Sequence, residues 1–211
     1  MISEKKLREE LLKPLPGTEY QEKLLPFNRR DTVPDPGKYI ETAVAIIILA
    51  SKLPLHLILM KRTEYEGHHS GQVSFPGGKF DPGDSTLLQT AIRETLEETG
   101  ILLHKNEYLG QLTPLHIPVS GYRVVPFLFF LTRRVRFSPD NNEVSYLFFP
   151  ELNRLLDDEN LKRTRVKVGE YSIDTPYFDL ENEVVWGATS MILSEFREIL
   201  RRTENKNPGK K

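Results

Sequence analysis

Two apolar runs stand out near the start of the chain. Ala43 to Ala50 reads AVAIIILA, continuous and β-branched, and after the turn SKLP a second run resumes at His56 to Lys61 (HLILMK). This pattern predicts two core strands joined by a tight connection. From Ser85 the period changes: Leu87, Leu88, Ala91, Ile92, Thr95, Leu96 and Thr99 recur at three- and four-residue spacing. A helix with one buried face follows, with Asp84 as its N-cap and Gly100 as its stop. Residues 107 to 117 and 121 to 137 read as strands, the second carrying VVPFLFFLT, and Glu143 to Phe149 as another. Pro150 opens a short helix through about Leu155, residues 165 to 180 suggest a hairpin, and Thr189 to Arg202 a closing helix. Ahead of all this, residues 3 to 12 form a short amphipathic helix, after which Pro14, Pro16, Pro26, Pro34 and Pro36 break the chain. The expected organisation is a lead-in over residues 1–38 packed on one mixed α/β domain over 39–202, with a frayed tail at 203–211.

Composition narrows the function classes. The 29 Lys+Arg nearly cancel the 30 Asp+Glu, so no global field favours nucleic acid or an anionic membrane as partner. The longest apolar run, Ala43 to Ala50, is far short of the ~20 residues a membrane helix needs. With no cysteine there are no disulfides, thiolate metal sites or cysteine nucleophiles. The charged start MISEKKLREELL has no signal-peptide core, and the cytoplasm is the expected compartment.

The chemistry concentrates in GGKFDPGDSTLLQTAIRETLEETGI, Gly77 to Ile101. Glu94, Glu97 and Glu98 are three and four residues apart, which at ~100° per residue gathers them into about one quadrant of the helix as a single acidic patch. Like charges at this spacing repel by roughly 0.2–0.5 kcal/mol per pair, a penalty that a bound divalent cation would reverse. Oxygen-only ligands favour magnesium or manganese over zinc. Arg93, four residues before Glu97, is spaced to pair with it. Three Glu on an arbitrary helix are most often a solvated face. The glycines in front change the reading, because Gly77 and Gly78 let the backbone approach a metal or phosphate directly.

This segment resembles the signature of the Nudix hydrolases, G-x5-E-x7-R-E-U-x-E-E-x-G-U, with U a bulky aliphatic. Arg93-Glu94, Glu97-Glu98, Gly100 and Ile101 match directly. The acidic position counted from Gly78 falls on Asp84, eight residues separate it from Arg93 where the signature has seven, and the first U is Thr95. The resemblance implies an α/β/α sandwich with a mixed sheet, of α+β class. It implies that Glu94, Glu97, Glu98 and Gly78 bind Mg2+ or Mn2+, with Glu94 and Glu98 as ligands and Glu97 a third ligand or the base. Arg93 and Glu97 form the catalytic pair in this reading, which acts on a phosphoric anhydride.

Upstream, ILMKRTEYEGHHSGQVSFPGGK (Ile58 to Lys79) is similar to the second signature of the coenzyme A pyrophosphatase branch, L-L-T-x-R-S-x3-R-x3-G-x3-F-P-G-G. Leu59, Arg62, Gly71, Phe75, Pro76, Gly77 and Gly78 match in register, Ile58 and Thr63 are conservative, Met60 replaces Thr, and Gly67 stands in place of the second Arg. Pro114, Gly121, Pro126 and the run Trp186-Gly187-Ala188-Thr189 look like later landmarks of that branch. The branch implies coenzyme A or acyl-coenzyme A as substrate, cut to 3′,5′-ADP and a 4′-phosphopantetheine moiety. Arg62, Gly77 and Lys79 would face the phosphates. ADP-ribose, another nucleoside diphosphate, or a non-catalytic nucleotide-binding role are the alternatives, and a homodimer is left open. His68 and His69 are adjacent and point apart on a strand, which argues against a ligand pair. Phe127, Phe129, Phe130 and Trp186 read as core, and Lys162 to Lys167 (KRTRVK) as a solvated hairpin.

Overall fold

In the computed structural model, which describes residues 2–26, 39–51, 53–63, 71–168 and 171–205, the first apolar run becomes β1 (Ile40–Leu49). Its neighbour β7 (Tyr122–Leu131) runs parallel to it in unbroken register from Ile40↔Tyr122 to Leu49↔Leu131. Both strands are apolar on both faces, as a strand buried between two layers must be. Along its other edge β1 meets two strands in succession. Near its start it pairs with β4 (Gly77–Lys79) through Thr42↔Lys79, Ala43↔Gly78 and Val44↔Gly77. Near its end it pairs with β2 (His56–Arg62) through Ile47↔Ile58 to Leu49↔His56. Beyond Ile58, β2 turns to β8 (Val144–Phe148) on one edge and β3 (Val73–Ser74) on the other. The sheet therefore opens beside β1, and the glycine strand β4 occupies the opening.

Alternation along β1 sorts the two faces. Ala43, Ala45 and Ile47 pack with Val125, Phe127, Phe129 and Ala91 of α3 (Leu87–Thr99). Ile46 and Ile48 pack with Leu128, Phe130 and the apolar stripe Ile192, Phe196, Ile199 of α4 (Gly187–Asn205). An α/β/α sandwich with a mixed sheet results, as the family resemblance implied. A small antiparallel sheet of β9 (Leu161–Val168), β10 (Tyr171–Leu180) and β11 (Glu183–Val185) adds Phe178, Leu180 and Val185 to the α4 side.

Several boundaries differ from expectation. The strand expected at 107–117 is two strands, β5 (Tyr108–Gln111) and β6 (Leu115–Ile117), both antiparallel to β7 and interrupted around Pro114, which has no N–H to donate. β7 ends at Leu131, and Pro150 is followed by a 3-10 turn at Leu152–Leu155. The N-cap of α3 is Thr86, whose Oγ1 accepts the Gln89 N–H at 3.2 Å, and Asp84 serves elsewhere. Helix α4 continues to Asn205 with Thr203 fully buried, so the first residues of the expected tail are helical; residues 206–211 lie outside the described residues.

Within the lead-in, α1 (Glu4–Leu11) and α2 (Thr18–Glu22) contribute Leu7 and, just after α2, Leu24 to the α4-side core; residues 27–38 lie outside the described residues. The tie between α2 and α4 is a fully buried carboxylate, Glu195. It accepts from Gln21 Nε2 (2.9 Å), Gly17 N (3.2 Å), Thr113 N (3.3 Å) and Thr113 Oγ1 (2.6 Å), all neutral donors. Glu195→Leu should cost about 3 kcal/mol, because it strands these buried donors without acceptors. Urea unfolding checks this: the midpoint should fall with little change in slope. An unchanged midpoint would show that the node does not hold the lead-in.

Candidate active site

The helix that carries the carboxylates has threonines on its buried face. Thr95 and Thr99 are fully buried, and their hydroxyls donate to the carbonyls of Ala91 and Thr95, each at 2.6 Å, so neither is left unpaired. This is how Thr95 stands where the signature has an aliphatic residue. Gly100 ends the helix with φ +75°, and a Cβ there would lie 2.8 Å from Ser138. The loop after β7 closes the helix end, since Ser138 N donates to Thr99 O (2.9 Å) and Asp140 N to Glu98 O (3.1 Å).

Arg93 joins the glycine loop to the helix. Its Nε and Nη2 grip Asp84 Oδ1 and Oδ2 at 3.1 and 3.0 Å, Nη1 donates to Glu94 Oε1 and Glu97 Oε2 at 2.9 Å each, and Nη2 also reaches Lys79 O at 3.2 Å. Asp84 accepts further from Thr90 Oγ1 (2.8 Å) and Asp81 N (3.2 Å). The Arg93 guanidinium, against the cost of burial, holds the Asp84 carboxyl down at about 2. Asp84 in turn raises the Arg93 pKa still further. Sequence reasoning gave Asp84 a capping role and missed this partnership. The signal available was the acidic position of the signature, nine residues before Arg93.

Glu98 is set apart from its neighbours. Its side chain is 2% exposed against 57% for Glu97, so the expected single patch divides into a buried and a solvent-facing carboxylate. Glu98 Oε2 accepts the Gly77 N–H at 2.7 Å, and Oε1 lies 3.3 Å from Arg62 Nη1. Burial pushes its carboxyl up to about 8, with the Gly77 N–H and Arg62 opposing. Burial also raises Glu94, opposed by Arg93.

The two glycines have separate reasons. Gly77 has φ +149°, and a Cβ would fall 2.2 Å from Ala43 O; at Gly78 it would fall 2.4 Å from Glu94 Cδ. Backbone and carboxylate thus meet with no side chain between them. Lys79 is exposed, with Nζ 5.8 Å from the Tyr122 ring centroid. Arg62, Gly77, Gly78, Arg93, Glu94, Glu97 and Glu98 are brought together; Gly67, His68 and His69 lie outside the described residues. Lys162 and Arg163 pair across the hairpin with Asp179 (2.6 Å) and Asp174 (3.2 Å), and Phe127, Phe129 and Phe130 are buried.

As they stand, no group of three or more His, Asp or Glu among the described residues converges on one metal position. The carboxylates face guanidinium groups and an N–H, while their chemistry and the side-chain-free approach at Gly78 fit an oxygen-ligated divalent cation.

The shifted Glu98 predicts a pH dependence. Between the usual 4.5 and about 8 the folded chain keeps a proton that the unfolded chain has released, so this group's stabilisation is present at low pH and lost as pH rises through the window. Thermal unfolding in chelator should show a falling Tm that Glu98→Gln removes. Parallel profiles for the two proteins would contradict the shift.

A family model for the NUDIX domain matches residues 40–174. The uncharacterized Nudix hydrolase NudL of Yersinia enterocolitica serotype O:8 / biotype 1B is 34% identical over 164 residues, 76% of this chain and 83% of the relative. NudL of Yersinia pestis (strain Pestoides F) is 34% identical over 151 residues, 72% of this chain and 75% of the relative. Among solved structures, a MutT/nudix family protein from Enterococcus faecalis aligns at TM-score 0.53 and 15% identity, covering 95% of this chain and 76% of the other. The NUDIX domain of Shewanella oneidensis NrtR, complexed with ADP ribose, aligns at TM-score 0.50 and 17% identity over 81% of this chain and 94% of the other. Among the described residues no helix is long and apolar enough to cross a membrane. Family model, relatives and the arrangement of Arg93, Glu94, Glu97 and Glu98 agree, and the chain belongs to the NUDIX domain family of hydrolases.

Proposed function

We propose that this protein hydrolyses the diphosphate of coenzyme A or an acyl derivative, giving 3′,5′-ADP and a 4′-phosphopantetheine moiety. What supports the reading most is that the motif carrying the coenzyme A resemblance and the carboxylate helix meet at one carboxylate: Arg62 contacts Glu98 Oε1 and Gly77 N contacts Glu98 Oε2. Glu94, Glu98 and the Gly78 backbone would hold a Mg2+ or Mn2+ ion, which would supply charge neutralisation at the diphosphate and lower the pKa of the attacking water. The chain itself does the positioning. Arg93 holds Glu94 and Glu97 in single orientations relative to the glycine loop. Glu97, the most exposed of the three, takes the proton of the attacking water. Arg62 and Lys79, on β2 and β4 at either side of the loop, offer cationic contacts to the phosphates. Water adds across one P–O–P bond, so the thioester or thiol arm is untouched.

The alternative substrate is ADP-ribose, which the NUDIX domain of Shewanella oneidensis NrtR binds. A panel of coenzyme A, dephospho-coenzyme A and ADP-ribose separates the readings. With Mg2+ or Mn2+, coenzyme A should be preferred, with dephospho-coenzyme A roughly ten- to a hundredfold poorer in kcat/KM for loss of one charged hydrogen bond. Chelator should abolish turnover. A clear preference for ADP-ribose would contradict the coenzyme A reading alone, and metal-replete protein that turns over none of the three would contradict the enzymatic one.

A further inference from the structure

One acidic residue outside both motifs faces this site. Glu143 lies in the loop between β7 and β8, and its Oε2 stands 3.8 Å from Arg62 Nη2, on the side of the guanidinium not used by Glu98. Its place is fixed by the backbone. Thr63 N donates to Glu143 O (3.0 Å), Thr63 Oγ1 to Asn142 O (2.9 Å), and Glu143 N to Asp140 O (3.0 Å). Asp140 N in turn donates to Glu98 O (3.1 Å), and Asp140 Oδ1 accepts from both Asn142 N and Asn142 Nδ2 at 2.9 Å. One short turn thus joins the end of β2 to the end of α3 and sets Glu143 over Arg62.

Arg62 therefore stands between two carboxylates of opposite character. Glu98 is buried, with its second oxygen on the Gly77 N–H, while the Glu143 side chain is 56% exposed. If Glu98 turns to a divalent cation, Arg62 loses its nearer partner and its charge stands beside the incoming one, where it repels it. We propose that Glu143 is a positioning residue that takes over Arg62 as counter-ion when Glu98 is given to the cation, so that the cation does not have to displace an arginine with no other partner. The inference rests on the reading of Glu98 as a metal ligand. It differs from a ligand role for Glu143, because its effect passes entirely through Arg62.

That difference is measurable as a double-substitution cycle on Mn2+ affinity, read by titration calorimetry without substrate on the full chain. Glu143→Gln should weaken Mn2+ binding about two- to fivefold, the scale of one partly exposed ion pair, and Glu143→Asp should restore it. In the Arg62→Gln background, Glu143→Gln should leave the affinity unchanged. Equal weakening in both backgrounds, or no weakening in either, would overturn the proposal while leaving the metal site intact. An unsubstituted chain that binds no Mn2+ would overturn it together with the reading of Glu98.

Discussion

Everything at this site depends on the distribution of one guanidinium. Arg93 donates to Asp84 with two nitrogens, to Glu94 and Glu97 with the third, and to the Lys79 carbonyl. Only a planar fork of five N–H donors serves so many acceptors at once. The loop from Lys79 to Asp84 and the helix carrying the carboxylates are thereby joined through a side chain already committed to the chemistry. Asp84 has its own supports in Thr90 and the Asp81 N–H, so the arginine is anchored on its buried side and presents its remaining donor outward. The shorter Asp in place of the signature's Glu comes with one extra residue before Arg93, and the grip on Arg93 is still bidentate.

The sheet contributes an opening. Because β2 leaves β1 after Ile58, the edge of β1 at Thr42 to Val44 is available to Gly77–Lys79. A glycine strand can lie there only because neither Gly77 nor Gly78 carries a Cβ. The Gly77 N–H then turns to Glu98. Burial of that carboxylate is the cost of bringing backbone this close to the helix, and its raised pKa is the consequence.

Much of the fold was legible because its signals are local. The β-branched run of β1 and the three-four spacing of α3 each follow from side chains that pack along one element. The cap of α3 was misplaced because Asp84 and Thr86 are both capping residues two positions apart, and only the tertiary pull of Arg93 removes Asp84 from that role. β4 left no trace in the pattern, since glycines carry no alternation, and β11 is three residues long. Helical spacing put three glutamates on one quadrant but could not divide them. What separates Glu98 from Glu97 is β4, which covers one and not the other. Glu195, a lone acid in the apolar stripe of α4, could have been noticed as a charge in the wrong place, but its four donors come from two distant segments.

The geometry of Arg93, and not its charge alone, organises the carboxylates. Arg93→Lys tests this most directly, because it keeps the positive charge and removes the fork. Measured on the diphosphate substrate that the protein cleaves fastest, at saturating Mg2+ and with folding verified by thermal unfolding, kcat should fall by about a hundredfold or more, as misplacement of catalytic groups by an ångström does. A folded Arg93→Lys protein with near-normal kcat would contradict it, and would mean that a point charge is enough.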